Sequence, residues 1–286
     1  MIAAAVVALL VLPLVVLRRR TLWRYWATDA ATWLFAWIVW RRIGGGFDPY
    51  LACVALAVVK LATFSLFLAC GREVRWSANR AALIAAIVYV LAVPAMLRTV
   101  IDGDEPFYLL VTESIVRDFD LDLANQYRTL DRSATGRTDL VPQLGDPTGA
   151  RGEQYSRHEP FLPLLMVPGY LLARLHGAIA VIVLFGVLLV RSTVRWMEDE
   201  GISEGAMRAV FPFFAFGPPV LFYATRIWPE VPAAFCYVEA LRGVRERRVQ
   251  RWLPAVFGLV LLKLRFVLVA IGLLAVLLRG GGGGGG

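Results

Sequence analysis

The chain has 286 residues, of which 58% are hydrophobic and 18% charged, with a formal net charge of +8. A mean hydropathy of +0.63, with the apolar residues gathered in long blocks, excludes a soluble domain of average composition. The net positive charge does not require nucleic acid as a partner, because the arginines sit at the ends of the apolar runs, where membrane topology accounts for them.

A membrane-crossing helix needs about 20 apolar residues, fewer where flanking side chains snorkel. Candidate runs, several of them short, are 2–17, 24–40, 48–71 and 79–97, then 176–193, 206–226, 229–241 and 253–278. The run 24–40 contains Asp29, and an interfacial position is the alternative there. Run 2–17 is followed rather than preceded by Arg18, Arg19 and Arg20, which fits an uncleaved anchor better than a signal peptide. Lys60 lies inside its run and must face protein or water. The three cysteines, Cys53, Cys70 and Cys236, have no metal-ligand spacing and point to neither a disulfide nor zinc. The expected fold is an all-α polytopic membrane protein with about eight transmembrane helices. Residues 1–78 form an N-terminal anchor, 79–278 a membrane domain with an external loop at 98–159, and 279–286 a flexible glycine tail.

The chain turns on Asp102, Asp104 and Glu105, a group of carboxylates directly after an apolar run. Unpaired acids are too costly in hydrocarbon, so the chain must leave the membrane there. Pro106 suits a first helical turn, and Phe107, Leu110, Val111, Ser114 and Ile115 then share one face, which predicts an amphipathic interfacial helix. The positive end of that helix favours negative side chains at 104 and 105, either as plain caps or as a base or metal ligand. Beyond it, the alternation in Asp118-Phe119-Asp120-Leu121-Asp122-Leu123 predicts a half-buried extended piece, and glycine and proline make 136–152 irregular.

Orientation follows from the basic residues. Arg18, Arg19, Arg20 and Arg24, with Arg72, Arg75 and Arg80, share one side, which the positive-inside bias makes cytoplasmic; Arg41 and Arg42 violate the count. Residues 160–175 are apolar but short and hold three prolines. Reading them as a re-entrant or interfacial helix keeps Arg242, Arg245, Arg247, Arg248 and Arg251 cytoplasmic. Asp104, Glu105, His158, Glu159 and Glu230 then meet at the external face, and Gly217-Pro218-Pro219 should break the helix between them.

The ordered set Asp104-Glu105-Pro106-Phe107-Tyr108, Asp120-Leu121-Asp122-Leu123-Ala124-Asn125, His158-Glu159-Pro160-Phe161 and Trp228-Pro229-Glu230 resembles the integral-membrane glycosyltransferases of the GT-C class. Bacterial members of the protein mannosyltransferase and aminoarabinose transferase type are the most similar, over about residues 79–270. The resemblance implies inverting transfer of a sugar from a polyprenyl-phosphate donor to a lipid, glycan or protein acceptor, on the external side of a bacterial plasma membrane. It makes Asp104 the base, with Glu105 beside it. Arg157, His158, Glu159, Arg226, Glu230, Lys263 and Arg265 are the candidate substrate-binding residues, with Arg226 serving a phosphate or pairing with Glu230. Lys263 and Arg265 lie within the last run and are expected either at a lipid phosphate or in a structural role, snorkelling toward the cytoplasm. Where the family usually has His-Pro-Pro or Lys-Pro-Pro, this chain has His158-Glu159-Pro160.

Asp104, Glu105 and Glu230 could also hold a divalent cation. Relative to the class, the chain reads as C-terminally truncated. The alternatives are a transporter or flippase of lipid-linked substrates using Lys60, Lys263 and Arg265, although no internal repeat supports it, or an inactive relative.

Overall fold

In the computed structural model, the described residues are 76–97, 101–129, 135, 139–145, 152–217 and 219–281. The expected spans 2–17, 24–40 and 48–71, with Lys60, lie outside them. The described residues are mostly helical, and no strand occurs among them beyond two isolated bridges.

The chain divides into two compact units. In the first, the described residues are 76–77 and Gly201–Gly217. Its helix, Glu204–Phe216, starts where the Ser203 hydroxyl accepts a bond from the Ala206 N–H, and ends at Gly217. Trp76 packs edge-on against Phe211, and its backbone N–H donates to the Glu204 carboxylate at 3.2 Å.

The second unit comprises α1 (Ala78–Met96), α2 (Glu105–Arg117), α3 (Ala124–Thr129), α4 (Phe161–Asp199), α5 (Val220–Tyr223), α6 (Glu230–Arg245), α7 (Val249–Leu262) and α8 (Val267–Gly281). A 3₁₀ turn, Leu264–Phe266, separates the last two. Helices α1, α4, α6 and α7 pack side by side, α1 and α7 running one way, α4 and α6 the other. Hydrogen bonds at both ends fix that arrangement. At one end the Ala78 N–H donates to Glu198 at 2.8 Å and Arg242 pairs with Asp199 at 3.3 Å. At the other, the Arg226 guanidinium donates to the Met96 carbonyl at 3.0 Å.

Among the described residues one helix, α4, is long and apolar enough to cross a membrane, and α1, α7 and Leu264–Ala275 are shorter apolar helices. Helix α4 is not straight. At Ala173 and Arg174 the backbone leaves helical geometry, Arg174 adopting φ +49° and ψ −130°. The break falls where the sequence reading separated 160–175 from the span at 176. The fold-back is tight: a Cβ on Gly177 would lie 1.8 Å from the Gly169 carbonyl oxygen, so neither position has room for a side chain.

Three expectations are corrected. Helix α2 is not an interfacial amphipathic helix, because all ten residues from Glu105 to Ser114 are buried. It packs on α4, and Phe107, Leu110 and Val111 form a core with Leu123, against which Tyr127 and Leu140 also pack. The run 253–278 is not one helix either: it stops at Leu262, Lys263 is extended (φ −163°, ψ 131°), and α8 begins at Val267. Of the alternating piece before Ala124, Leu123 is buried, while Phe119 is 88% exposed. Where a break was expected at Gly217-Pro218-Pro219, the helix ends at Phe216 and Gly217 is extended.

Candidate active site

Asp104 precedes the first residue of α2, with Pro106 next in the first turn, where the missing N–H leaves no bond unmade. Its carboxylate does not cap the helix. Instead Oδ2 receives the Lys263 ammonium at 3.2 Å and lies 3.7 Å from Nδ1 of His158. The Lys263 ammonium also reaches the Tyr108 hydroxyl at 3.4 Å. Tyr108 lies one helical turn after Asp104, so both project toward the same side.

Each partner is delivered by a local cause. Lys263 reaches Asp104 because α7 ends at Leu262 and the chain extends there; the Glu159 carboxylate accepts the Leu264 N–H at 2.9 Å and holds the turn that follows. His158 is delivered by the returning loop. Bridges Asp122↔Tyr155 and Leu144↔Ser156 lay 152–158 along the preceding segments, and Gln143 Oε1 bonds His158 Nε2 at 2.9 Å. The imidazole then stacks on Phe107 at 5.7 Å and tilts against Tyr108.

Burial holds the His158 pKa below its ordinary value, and Asp104 only partly opposes this, while Lys263 and Arg157 add to it. The Tyr108 phenol is pushed up by burial and then by the carboxylates of Asp104, Glu159 and Glu230, with Arg265 opposing. Those four charged groups therefore all act electrostatically on one hydroxyl. Glu230, first residue of α6, pairs with Arg265 in the 3₁₀ turn, and its second oxygen is buried with no hydrogen-bond partner among the described residues.

The structure splits the acidic pair. Glu105 is 2% exposed and pairs with Arg226, while its other oxygen accepts the Ile227 N–H at 2.8 Å. Burial raises its pKa, against the Ile227 N–H and the Arg226 charge. Glu105 thus stands behind the open cluster, and Arg226 is spent on it rather than on Glu230 or a phosphate. Lys263 and Arg265 also do not snorkel away: they stand with Asp104 and Glu230. Arg157 is exposed beside His158.

Two contributors were missed by the sequence reading. Tyr108 carried a signal, its i+4 spacing from Asp104. Gln143 carried none, since it sits in an irregular stretch. Each candidate metal ligand already faces a cation, Asp104 with Lys263, Glu105 with Arg226 and Glu230 with Arg265, and no three His, Cys, Asp or Glu side chains among the described residues are arranged to hold an ion. The residues do not fit a metal.

The turn before Asp104 depends on Gly103, at φ +63°, where a Cβ would lie 3.1 Å from two ring carbons of Trp228. Gly103→Ala should therefore cost about 1–2 kcal/mol from the left-handed backbone alone. Comparing denaturation midpoints of the purified proteins checks it, and an unchanged midpoint would refute the requirement.

Asp104, Tyr108, His158 and Lys263, with Glu159, Glu230 and Arg265 around them, form a half-open cluster of acids and cations able to accept a proton and bind an anion at once. No family model matches the chain, and no curated protein or solved structure does so either.

Proposed function

We propose that this chain is an integral-membrane glycosyltransferase of the GT-C kind, moving a sugar from a polyprenyl-phosphate donor to an acceptor at the external face of the membrane. The observation that carries this reading is the meeting of Asp104 with Lys263 at 3.2 Å, in a cluster with His158 and Tyr108. A lone carboxylate at a helix start would be ordinary; one held between an ammonium and an imidazole from distant segments fits acid–base work beside an anion.

Helix lengths support the membrane setting. At 1.5 Å per residue, α7 and α1 measure about 21 and 28 Å, and the arm of α4 after its break about 37 Å, which brackets a hydrocarbon core of about 30 Å. Polar clusters lie at both ends of these helices, and Leu83, Val90, Leu184, Phe257 and Leu261 expose large apolar surface between them. One face is external and the other cytoplasmic by the distribution of arginines.

In the mechanism, the acceptor hydroxyl loses its proton to Asp104 as its oxygen bonds to the anomeric carbon. The bond from that carbon to the phosphate oxygen breaks on the opposite side, inverting the centre, and the polyprenyl phosphate leaves with the electron pair. Lys263 and Arg265 neutralise the charge of that leaving group. His158, held by Gln143, forms the wall of the site beside Asp104. Glu105 and Arg226 brace the loop from behind.

Transfer of a radiolabelled sugar from polyprenyl phosphate by the full chain in vesicles tests the proposal. Lys263→Gln should raise the donor KM by about tenfold or more, since a hydrogen bond between charged groups is worth about 1.5–3 kcal/mol. Absence of transfer by the wild-type chain from every polyprenyl-phosphate sugar offered would sink the reading.

A further inference from the structure

At the other end of the same helices, a cavity of about 410 Å³ opens among arginines: Arg191 and Arg195 from α4, Arg242 from α6, and Arg248 and Arg251 at the start of α7. Two carboxylates, Asp199 and Glu246, complete the charged lining, leaving a surplus of three positive charges. Asp199 pairs with Arg195 at 3.5 Å and Arg242 at 3.3 Å, and Glu246 with Arg242, Arg248 and Arg251. Arg191 bonds a neutral group, the Asn79 side-chain oxygen, at 2.9 Å. Arg191 and Arg248 are thus the cations least neutralised by their neighbours.

A second cavity, of about 460 Å³, shares Arg248 and Arg251 with the first and continues along apolar Phe235, Cys236, Pro254 and Ala255. The carboxylate of Glu239 also borders it, but is taken up by Ser192, Arg242 and Arg251. A basic cavity therefore adjoins a partly apolar one across Arg248 and Arg251.

We infer that this pair of cavities binds an anionic phospholipid, its phosphodiester among the arginines and the start of its acyl chain along the apolar wall. Topology alone requires arginines near a cytoplasmic loop; it does not require guanidinium groups from three helices to line one cavity. Planar guanidinium groups suit phosphate oxygens, and a basic pocket at the end of a helix bundle suits a lipid headgroup. The adjoining apolar chamber distinguishes a lipid from free phosphate, which would leave it unfilled. The site lies apart from Asp104 and does not depend on the sugar-transfer reading.

The full chain in detergent, titrated with phosphatidylglycerol, phosphatidylcholine or inorganic phosphate and followed by native mass spectrometry and melting temperature, tests this. Phosphatidylglycerol should bind and raise the melting temperature, while phosphatidylcholine and inorganic phosphate should not. The exposed pair Arg191→Gln with Arg248→Gln should weaken phosphatidylglycerol binding by about 10- to 30-fold. Lysine at both positions should retain most of the affinity, separating lost charge from a damaged fold. Equal binding of the two lipids, an equal effect of inorganic phosphate, or full affinity in the glutamine pair would each overturn the inference.

Discussion

Asp104→Asn should lower kcat for sugar transfer by about 10²–10⁴-fold, the usual contribution of a positioned general base, with little change in donor KM. An amide oxygen keeps the size of the group and a hydrogen bond to Lys263, but it cannot take the acceptor's proton. The fold should survive, because Asp104 and Lys263 are both partly exposed and such a pair contributes about 1 kcal/mol or less. A variant that folds and turns over normally would remove Asp104 from the chemistry. The pH response has a fixed sign. Burial lowers the His158 pKa, so the neutral ring's contribution to stability is complete above the unfolded value of about 6.5 and is lost as the pH falls through the lower folded value. Melting temperature should therefore decline on the acid side, and His158→Gln should reduce that decline.

Arg226→Met should destabilise the second unit by about 3–5 kcal/mol, the largest effect expected of any single change here. It would strand the Glu105 carboxylate, 2% exposed, with only the backbone N–H groups of Ile227 and Asp102 bonded to it, and also remove the bond to the Met96 carbonyl. Adding Glu105→Gln should recover a large part of the loss, because the buried charge then disappears with its partner. Denaturant titration of the two single variants and the double one forms the test. Additive losses would show that the two residues do not act as a pair.

The sequence carried much of this arrangement, and the failures have identifiable causes. Acids at helix boundaries were legible because charges cluster where apolar runs stop, which singled out Asp104 and Glu230. The break near residue 174 was legible from prolines and run length. Helix α2 was misread because its apolar stripe reports a partner but not how many sides are covered; Glu105 and Glu113 look solvent-facing until Arg226 and Arg174 arrive from far along the chain. Lys263 was misread because an apolar run continues on both sides of it, and hydropathy does not record that one extended residue divides the run. Gln143 was invisible, its position set by loop bridges that no local pattern encodes.

The contact between Gly169 and Gly177 has a reach well beyond its own place. Because the two backbones touch with nothing between them, the arm from Phe161 to Leu172 cannot slide along or rotate against the helix it folds onto. His158 and Glu159 stand immediately upstream of that arm, so their depth and direction are inherited from two residues that carry no functional group. Even a single methyl there would work as a wedge, swinging the imidazole away from Asp104 without altering any charged atom.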